Sequence, residues 1–312
     1  MRIVSAAARA DFCLIGVLSL TQAGFAQAQA VACRNIDDAP RNLAGRSLEI
    51  FQGASPQALA AFRALNLNLP RPRIVNGHPT LISDNPWQIA IIRSVEGEPY
   101  RSQFCGGSLI RDNWVLTAAH CVQNSIVRED AARVDVVVGT SQYAIGGQRI
   151  KVAAIHKHPG YNDLTKDNDF ALLRLQTAAS VGAAIPTAEA STTVPDGTRL
   201  CVTGWGATFE GGPGAIDLLG ATVPVVATPV CNATDSYNGD VHATMMCAGD
   251  KAGGTDSCQG DSGGPATAAI NGRTTLVGVV SWGEGCARRL KYGIYAKVST
   301  AAAWIATAIG GQ

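Results

Sequence analysis

From Ile74 onward the chain is cut into short runs of β-branched or alternating apolar residues, and this punctuation restricts it to an all-β fold. Trp87–Ile92, Val134–Val138, Ile150–Ile155, Phe170–Leu175, Leu200–Thr203, Ala221–Val226 and Leu276–Ser281 read as strands, with Gly, Pro, Asn or Asp between most of them. The 34 glycines and 14 prolines are spread along the chain, as many short strands joined by turns require. Thr300–Ile309 breaks the pattern, because Ala, Trp304, Ile305 and Ile309 recur at helical spacing. It reads as a C-terminal helix packed on the body. The length available for strands suggests two small barrels. There is no internal repeat or low-complexity tract.

The segment before Ile74 differs in kind. Residues 1–73 hold eight Arg against four acids, whereas the whole chain carries a net charge of only +1, so the remainder is mildly acidic. Such a balance gives no reason to expect nucleic acid or a membrane surface as partner. Arg2 and Arg9 precede an apolar run from Phe12 to Leu20, and Ala28-Gln29-Ala30 offers an A-x-A cleavage site. Residues 1–30 therefore read as an export signal of bacterial look, since nine apolar residues fall well short of the roughly 20 that span a bilayer. Residues 31–73 form a separate segment. Ser55-Pro56 can open a short helix there, and Leu69-Pro-Arg-Pro-Arg73 cannot hold one. Of nine cysteines, Cys13 falls inside the signal, and the eight that remain argue for disulfides in an oxidising compartment.

The chemistry is concentrated in three places. Gly260-Asp-Ser-Gly-Gly264 fits G-x-S-x-G, a pattern shared by unrelated hydrolases. In an α/β-hydrolase the histidine follows the serine, but His78, His120, His156, His158 and His242 all precede Ser262, so that reading fails on order. An Asp–His–Ser order on another fold is left to context. Thr117-Ala-Ala-His120-Cys121 supplies a histidine with small neighbours beside a cysteine. Asp167-Asn-Asp169-Phe-Ala-Leu-Leu-Arg-Leu175 supplies a carboxylate at the head of an apolar run, where burial demands a partner such as an imidazole.

Together these segments, in this order and 49 and 93 residues apart, resemble the chymotrypsin/trypsin family of serine proteases from Ile74 to the C-terminus. The resemblance implies two six-stranded antiparallel β-barrels, with the active site in the cleft between them. His120 and Asp169 would come from the first barrel and Ser262 from the second. It implies Ser262 as nucleophile, His120 as general base and then acid, Asp169 as the group orienting the imidazole, and the N–H groups of Gly260 and Ser262 as an oxyanion hole. Asp256, six residues before Ser262, matches the acid at the base of a trypsin-like specificity pocket. It implies cleavage after Arg or Lys. Gly283 and Gly293 match the glycines that keep such a pocket open, and Ser281-Trp282-Gly283 the strand that pairs with substrate backbone. Glu284 either favours positive charge upstream in the substrate or is an exposed loop residue.

Arg73-Ile74-Val-Asn-Gly77 resembles the family's activation junction, with Asn76 in place of a glycine. Cleavage there would free the Ile74 ammonium to pair with Asp261, making 31–73 a propeptide and 74–312 the protease domain. The Arg preference matches the junction, which implies self-activation. The resemblance also implies disulfides Cys105–Cys121, Cys231–Cys247 and Cys258–Cys286. Cys201 lacks its usual partner after Gly263-Gly-Pro265, leaving Cys33–Cys201 as the suggested bridge, one that would tether the propeptide. Gly139–Gln148 has no acid, so no calcium is expected there, and no cofactor is expected at all. Lys291-Tyr292-Gly293 is compatible with a sodium site. The Asn232 sequon matters only in a host that glycosylates, and His156 and His158 read as an exposed loop. The expected partners are protein or peptide substrates with Arg or Lys before the scissile bond, and a protein inhibitor, acting on a secreted monomer.

Overall fold

Period-two burial is plain in two of the longer strands. In β6 (Gln148–Lys157), Ile150 and Val152 point inward while Arg149 and Lys151 face solvent. In β9 (Leu219–Val226), Ala221, Val223 and Val225 point inward. The computed structural model describes Cys33 and residues 77–94, 103–125 and 127–310. The signal, Arg73, Ile74, the Ser55 helix and the rest of 31–73 lie outside the described residues.

Strands β2 (Gln88–Arg93), β3 (Gln103–Arg111), β4 (Trp114–Thr117), β7 (Ala171–Leu175), β6 and β5 (Val134–Val138) close into an antiparallel barrel in that order. The second barrel runs β8 (Arg199–Gly204), β9, β10 (Met245–Ala248), β13 (Gly293–Lys297), β12 (Arg273–Trp282) and β11 (Pro265–Ile270). A further β8–β9 pairing closes it. A two-residue strand, β1 (His78–Pro79), lies on β9. Helix α1 (Ala119–Gln123) follows β4, α2 (Thr228–Cys231) precedes β10, and α3 (Val298–Gly310) ends the fold.

The strand expectations from sequence agree with these elements to within a few residues, and the additional strands have physical reasons for being missed. Strand β3 contains Gly106-Gly107, which reads as a loop. The glycines are there because a Cβ on Gly106 would meet the backbone of Gly264, and one on Gly107 the Val115 side chain. Strand β11 opens on Pro265. Strand β2 is buried on both faces: Ile89 and Ile91 belong to the main core, whereas Ala90 and Ile92 lie under Trp205 and Leu218 of the second half. A buried hydrogen bond, Thr203 Oγ1 to Gln88 Oε1 at 2.6 Å, also joins the two halves. Helix α3 buries Val298, Ala301 and Ile305 and sets Trp304 edge-on to His158, with centroids 4.9 Å apart, so it spans both barrels. His156 lies in β6 against Trp114 rather than in an exposed loop.

All eight cysteines after Cys13 pair, as Cys33–Cys201, Cys105–Cys121, Cys231–Cys247 and Cys258–Cys286. Cys33 sits in a shaped socket. Its N–H donates to Thr222 Oγ1 at 3.2 Å, and its carbonyl accepts from His78 Nε2 at 2.9 Å. Any side chain on Gly220 would press on its Cβ and Sγ.

Candidate active site

The first barrel brings His120 and Asp169 together on its side of the seam. His120 lies in the short helix α1, which Cys105–Cys121 clamps to β3. Asp169 is fully buried just ahead of β7, anchored by the equally buried Phe170. Its Oδ1 accepts the His120 backbone N–H at 2.9 Å and its Oδ2 faces His120 Nδ1 at 2.7 Å. Ser281 Oγ, from the end of β12, donates to the same Oδ2 at 2.5 Å. Burial alone would push the Asp169 carboxyl up, but the charge and hydrogen bonds of His120, with Ser281, outweigh it and hold the carboxyl below the usual range. An ionised carboxylate here can only accept, so Nδ1 carries a proton and Nε2 is the nitrogen left for chemistry.

Ser262 stands in the turn before β11, on the other barrel. Its carbonyl accepts the Gly106 N–H at 2.7 Å, and Gly263 fits so tightly against Thr117 and Ala118 that a side chain there would overlap them. The turn is thus docked on the His120 segment. Gly260 has φ +97, and its carbonyl accepts from Gln103 Nε2 at 2.8 Å. Among the described residues, the N–H groups of Gly260 and Ser262 have no acceptor, whereas Gly263 and Gly264 donate to Val280 and Asp261. Two unspent donors beside a serine suit a developing oxyanion.

Asp261 is fully buried between glycines. Gly206 N–H donates to Oδ1 at 2.8 Å and Cys258 N–H to Oδ2 at 2.9 Å, and a Cβ on Gly204 or Gly206 would collide with the carboxylate. Burial pushes its carboxyl up to about 6 against those two donors, and no cation pairs with it among the described residues.

A second buried carboxylate, Asp256, faces β13. A Cβ on Gly293 would run into its Oδ1, so only glycine fits there, while at Gly283 a Cβ meets nothing closer than 3.8 Å. Ala287 N–H donates to Asp256 Oδ2 at 3.2 Å. Burial raises this carboxyl to about 7, with the backbone N–H groups of Ala287 and Ser257 pulling the other way. Tyr237 was not evident from sequence because its partners are distant. Its hydroxyl donates to Tyr292 O at 2.6 Å and its ring meets Trp282 edge-on at 5.0 Å, fixing the segment next to Gly283. Glu284 is an exposed residue that pairs with Lys291 at 2.5 Å. Asn232 spends its side-chain amide on the Val241 backbone in both directions. Among the described residues, the one close His/Cys/Asp/Glu group is Cys105, His120 and Cys121, whose sulfurs form a disulfide and offer no thiolate.

Two closed six-stranded antiparallel barrels meeting at such a seam are the architecture of the chymotrypsin-like serine peptidases, and that is the class the fold defines. The trypsin family model matches residues 74–305. The chain is 40% identical over 236 residues to trypsin 5G1 of Aedes aegypti, covering 75% of this chain and 84% of that one. It is 40% identical over 236 residues to anionic trypsin of Bos taurus (75% and 88%) and 43% identical over 209 residues to trypsin of Xenopus laevis (66% and 81%). The chain belongs to the trypsin family and is a serine endopeptidase. No helix among the described residues is long and apolar enough to cross a membrane.

Proposed function

We propose that this enzyme hydrolyses peptide bonds after Arg or Lys through a Ser262–His120–Asp169 triad. The observation that carries the specificity is Asp256: a carboxylate buried to 4% exposure, flanked by Gly293 and with no cation beside it among the described residues. Such a group is stabilised by a guanidinium or ammonium brought by substrate. Relatives named trypsins support the same preference.

In the chemical step, His120 Nε2 takes the proton from Ser262 Oγ as that oxygen attacks the carbonyl carbon. The carbonyl oxygen gathers charge opposite the N–H groups of Gly260 and Ser262. His120 then hands the proton to the leaving amine, and water repeats the sequence on the acyl-enzyme. Asp169 holds the tautomer throughout.

The test is a panel of peptide amides differing only in the residue before the scissile bond, with Ser262→Ala as control. Turnover after Arg and Lys is expected; turnover confined to large apolar residues overturns the pocket assignment. A pH dependence follows as well. Asp256 must be ionised to bind a cation, and its carboxyl titrates near 7, with Asp261, Tyr295 and Ser257 around it. The inhibition constant of benzamidine, a flat amidinium, is therefore expected to fall from about pH 6 to about pH 8 and level off, and to stay flat in Asp256→Asn. A constant that does not vary with pH in the parent enzyme removes the argument.

Residues 1–30 act as an export signal, 31–73 as an activation segment and 74–312 as the secreted protease. Cleavage after Arg73 supplies the Ile74 ammonium to Asp261. The raised carboxyl of Asp261 works against the precursor at neutral pH: its contribution to stability is full below about 4 and is lost as pH rises through about 6. An ammonium partner reverses that sign. With Cys33 bridged to Cys201, cleavage yields a two-chain enzyme. Its mass is expected to rise by one water only on activation without reductant and to fall by the activation segment once reduced. Loss of the segment without reductant contradicts this.

A further inference from the structure

Glu210 lies on the loop between β8 and β9 of the second barrel, which Ala207 and Gly214 close by a β-bridge, far in sequence from the specificity pocket. Its carboxylate nonetheless grips both ends of one turn of the pocket wall. Oε1 meets Arg288 Nη2 at 2.5 Å, Oε2 meets Arg288 Nε at 2.9 Å, and Oε2 also accepts the Cys286 N–H at 3.4 Å. The guanidinium crosses Gly285, where any Cβ would collide with Arg288 and Glu210 alike. Between the two gripped residues stands Ala287, whose N–H is the one donated to Asp256 Oδ2.

Ala287 holds that position at φ +55, in the left-handed region, which disfavours a residue with a Cβ. Its surroundings must therefore hold it. Cys258–Cys286 fixes one flank, and Gly254 N–H, donating to Ala287 O at 2.9 Å, fixes the other. The Glu210 carboxylate supplies the third restraint and is the one that comes from outside the pocket wall. Its two-pronged contact has the geometry in which arginine–carboxylate pairs are most directional.

We propose that Glu210 is a positioning residue for substrate specificity: through Arg288 and the Cys286 N–H it holds the Ala287 N–H on Asp256, and so tunes the affinity for the basic substrate side chain. The inference rests on Asp256 being the pocket acid. Glu210 touches no reacting atom, so its removal is felt in binding and not in the chemical step. Glu210 and Arg288 are both about half exposed, which limits the effect to a modest factor.

The experiment compares activated Glu210→Ala, Glu210→Gln, Arg288→Ala and the charge-reversed double variant Glu210→Arg/Arg288→Glu with the parent. Substrates are peptide amides carrying Arg, Lys or a neutral residue before the scissile bond, and benzamidine is the binding probe. Both Glu210 single variants are expected to raise KM for Arg and Lys about three- to tenfold and to weaken benzamidine alike. Their kcat should stay within about twofold, with the neutral substrate unaffected. The double variant should recover part of the loss. Unchanged KM and benzamidine binding in both single variants overturns the inference, as does a fall confined to kcat or a double variant no better than the worse single one. Asp256→Asn, run alongside, separates the two readings: if it keeps the Arg/Lys preference, the pocket assignment fails; if it loses that preference while Glu210→Ala does not weaken binding, only the role of Glu210 fails.

Discussion

Ser262→Ala is expected to lower kcat on an Arg peptide amide about 10⁶-fold, with KM almost unchanged. On the proposed triad, removing the nucleophile abolishes the covalent step and makes the His120–Asp169 pair idle, so the loss approaches that of removing all three groups. What survives is the contribution of substrate binding and of the Gly260 and Ser262 N–H donors, about 10³-fold over water. The substitution removes a single oxygen from a half-buried turn whose backbone bonds to Gly106 and whose neighbours Gly263 and Gly264 remain, so folding should be preserved. The same variant tests the activation scheme. Purified alone, its precursor should stay intact between Arg73 and Ile74, and addition of a trace of parent enzyme should cut it. Mass spectrometry reads both outcomes, and spontaneous cleavage of the lone variant would sink self-activation.

Asp169→Asn should cost about 10⁴-fold in kcat near neutral pH, the loss that the corresponding change brings elsewhere in the family. The cause lies in three hydrogen bonds. Oδ1 accepts the His120 backbone N–H, and Oδ2 accepts both His120 Nδ1–H and Ser281 Oγ–H. An amide oxygen can satisfy the acceptor role on one side only. If the amide nitrogen takes the Oδ2 position, it must donate to Nδ1, which moves the imidazole proton to Nε2, where it blocks proton uptake from Ser262. Reorientation of Ser281 can satisfy the third partner, so the crystal structure of the variant should superpose closely. Activity should recover partly at high pH, where hydroxide can take the Ser262 proton in place of the imidazole. A loss below tenfold across the pH range would remove Asp169 from the mechanism.

Legibility from sequence followed the range of the interactions. The barrels were readable where a strand buries one face, as in Ile150 and Val152 of β6, and unreadable at Gly106, where glycine is dictated by a close backbone approach from Gly264, far along the chain. The resemblance singled out His120, Asp169, Ser262 and Asp256, because short motifs surround each of them. Ser281 was marked only as part of the strand that pairs with substrate. Its bond to Asp169 joins residues 112 apart and leaves no local trace. The same holds for the hydrogen bonds of Tyr237 to Tyr292, Gln103 to Gly260 and Glu210 to Arg288, whose partners lie 55–157 residues apart.

Under the proposed activation scheme, the socket around Cys33 changes how the activation segment must be counted. A free propeptide separates from its enzyme and is lost by dilution into a large extracellular volume. One bound covalently to Cys201 is present at a local concentration set by its tether and not by the amount of protein in solution. Whatever residues 34–73 do to this protease once cut, whether shielding a surface or competing for the cleft, they do equally in a concentrated secretion and at trace levels, until the disulfide is reduced.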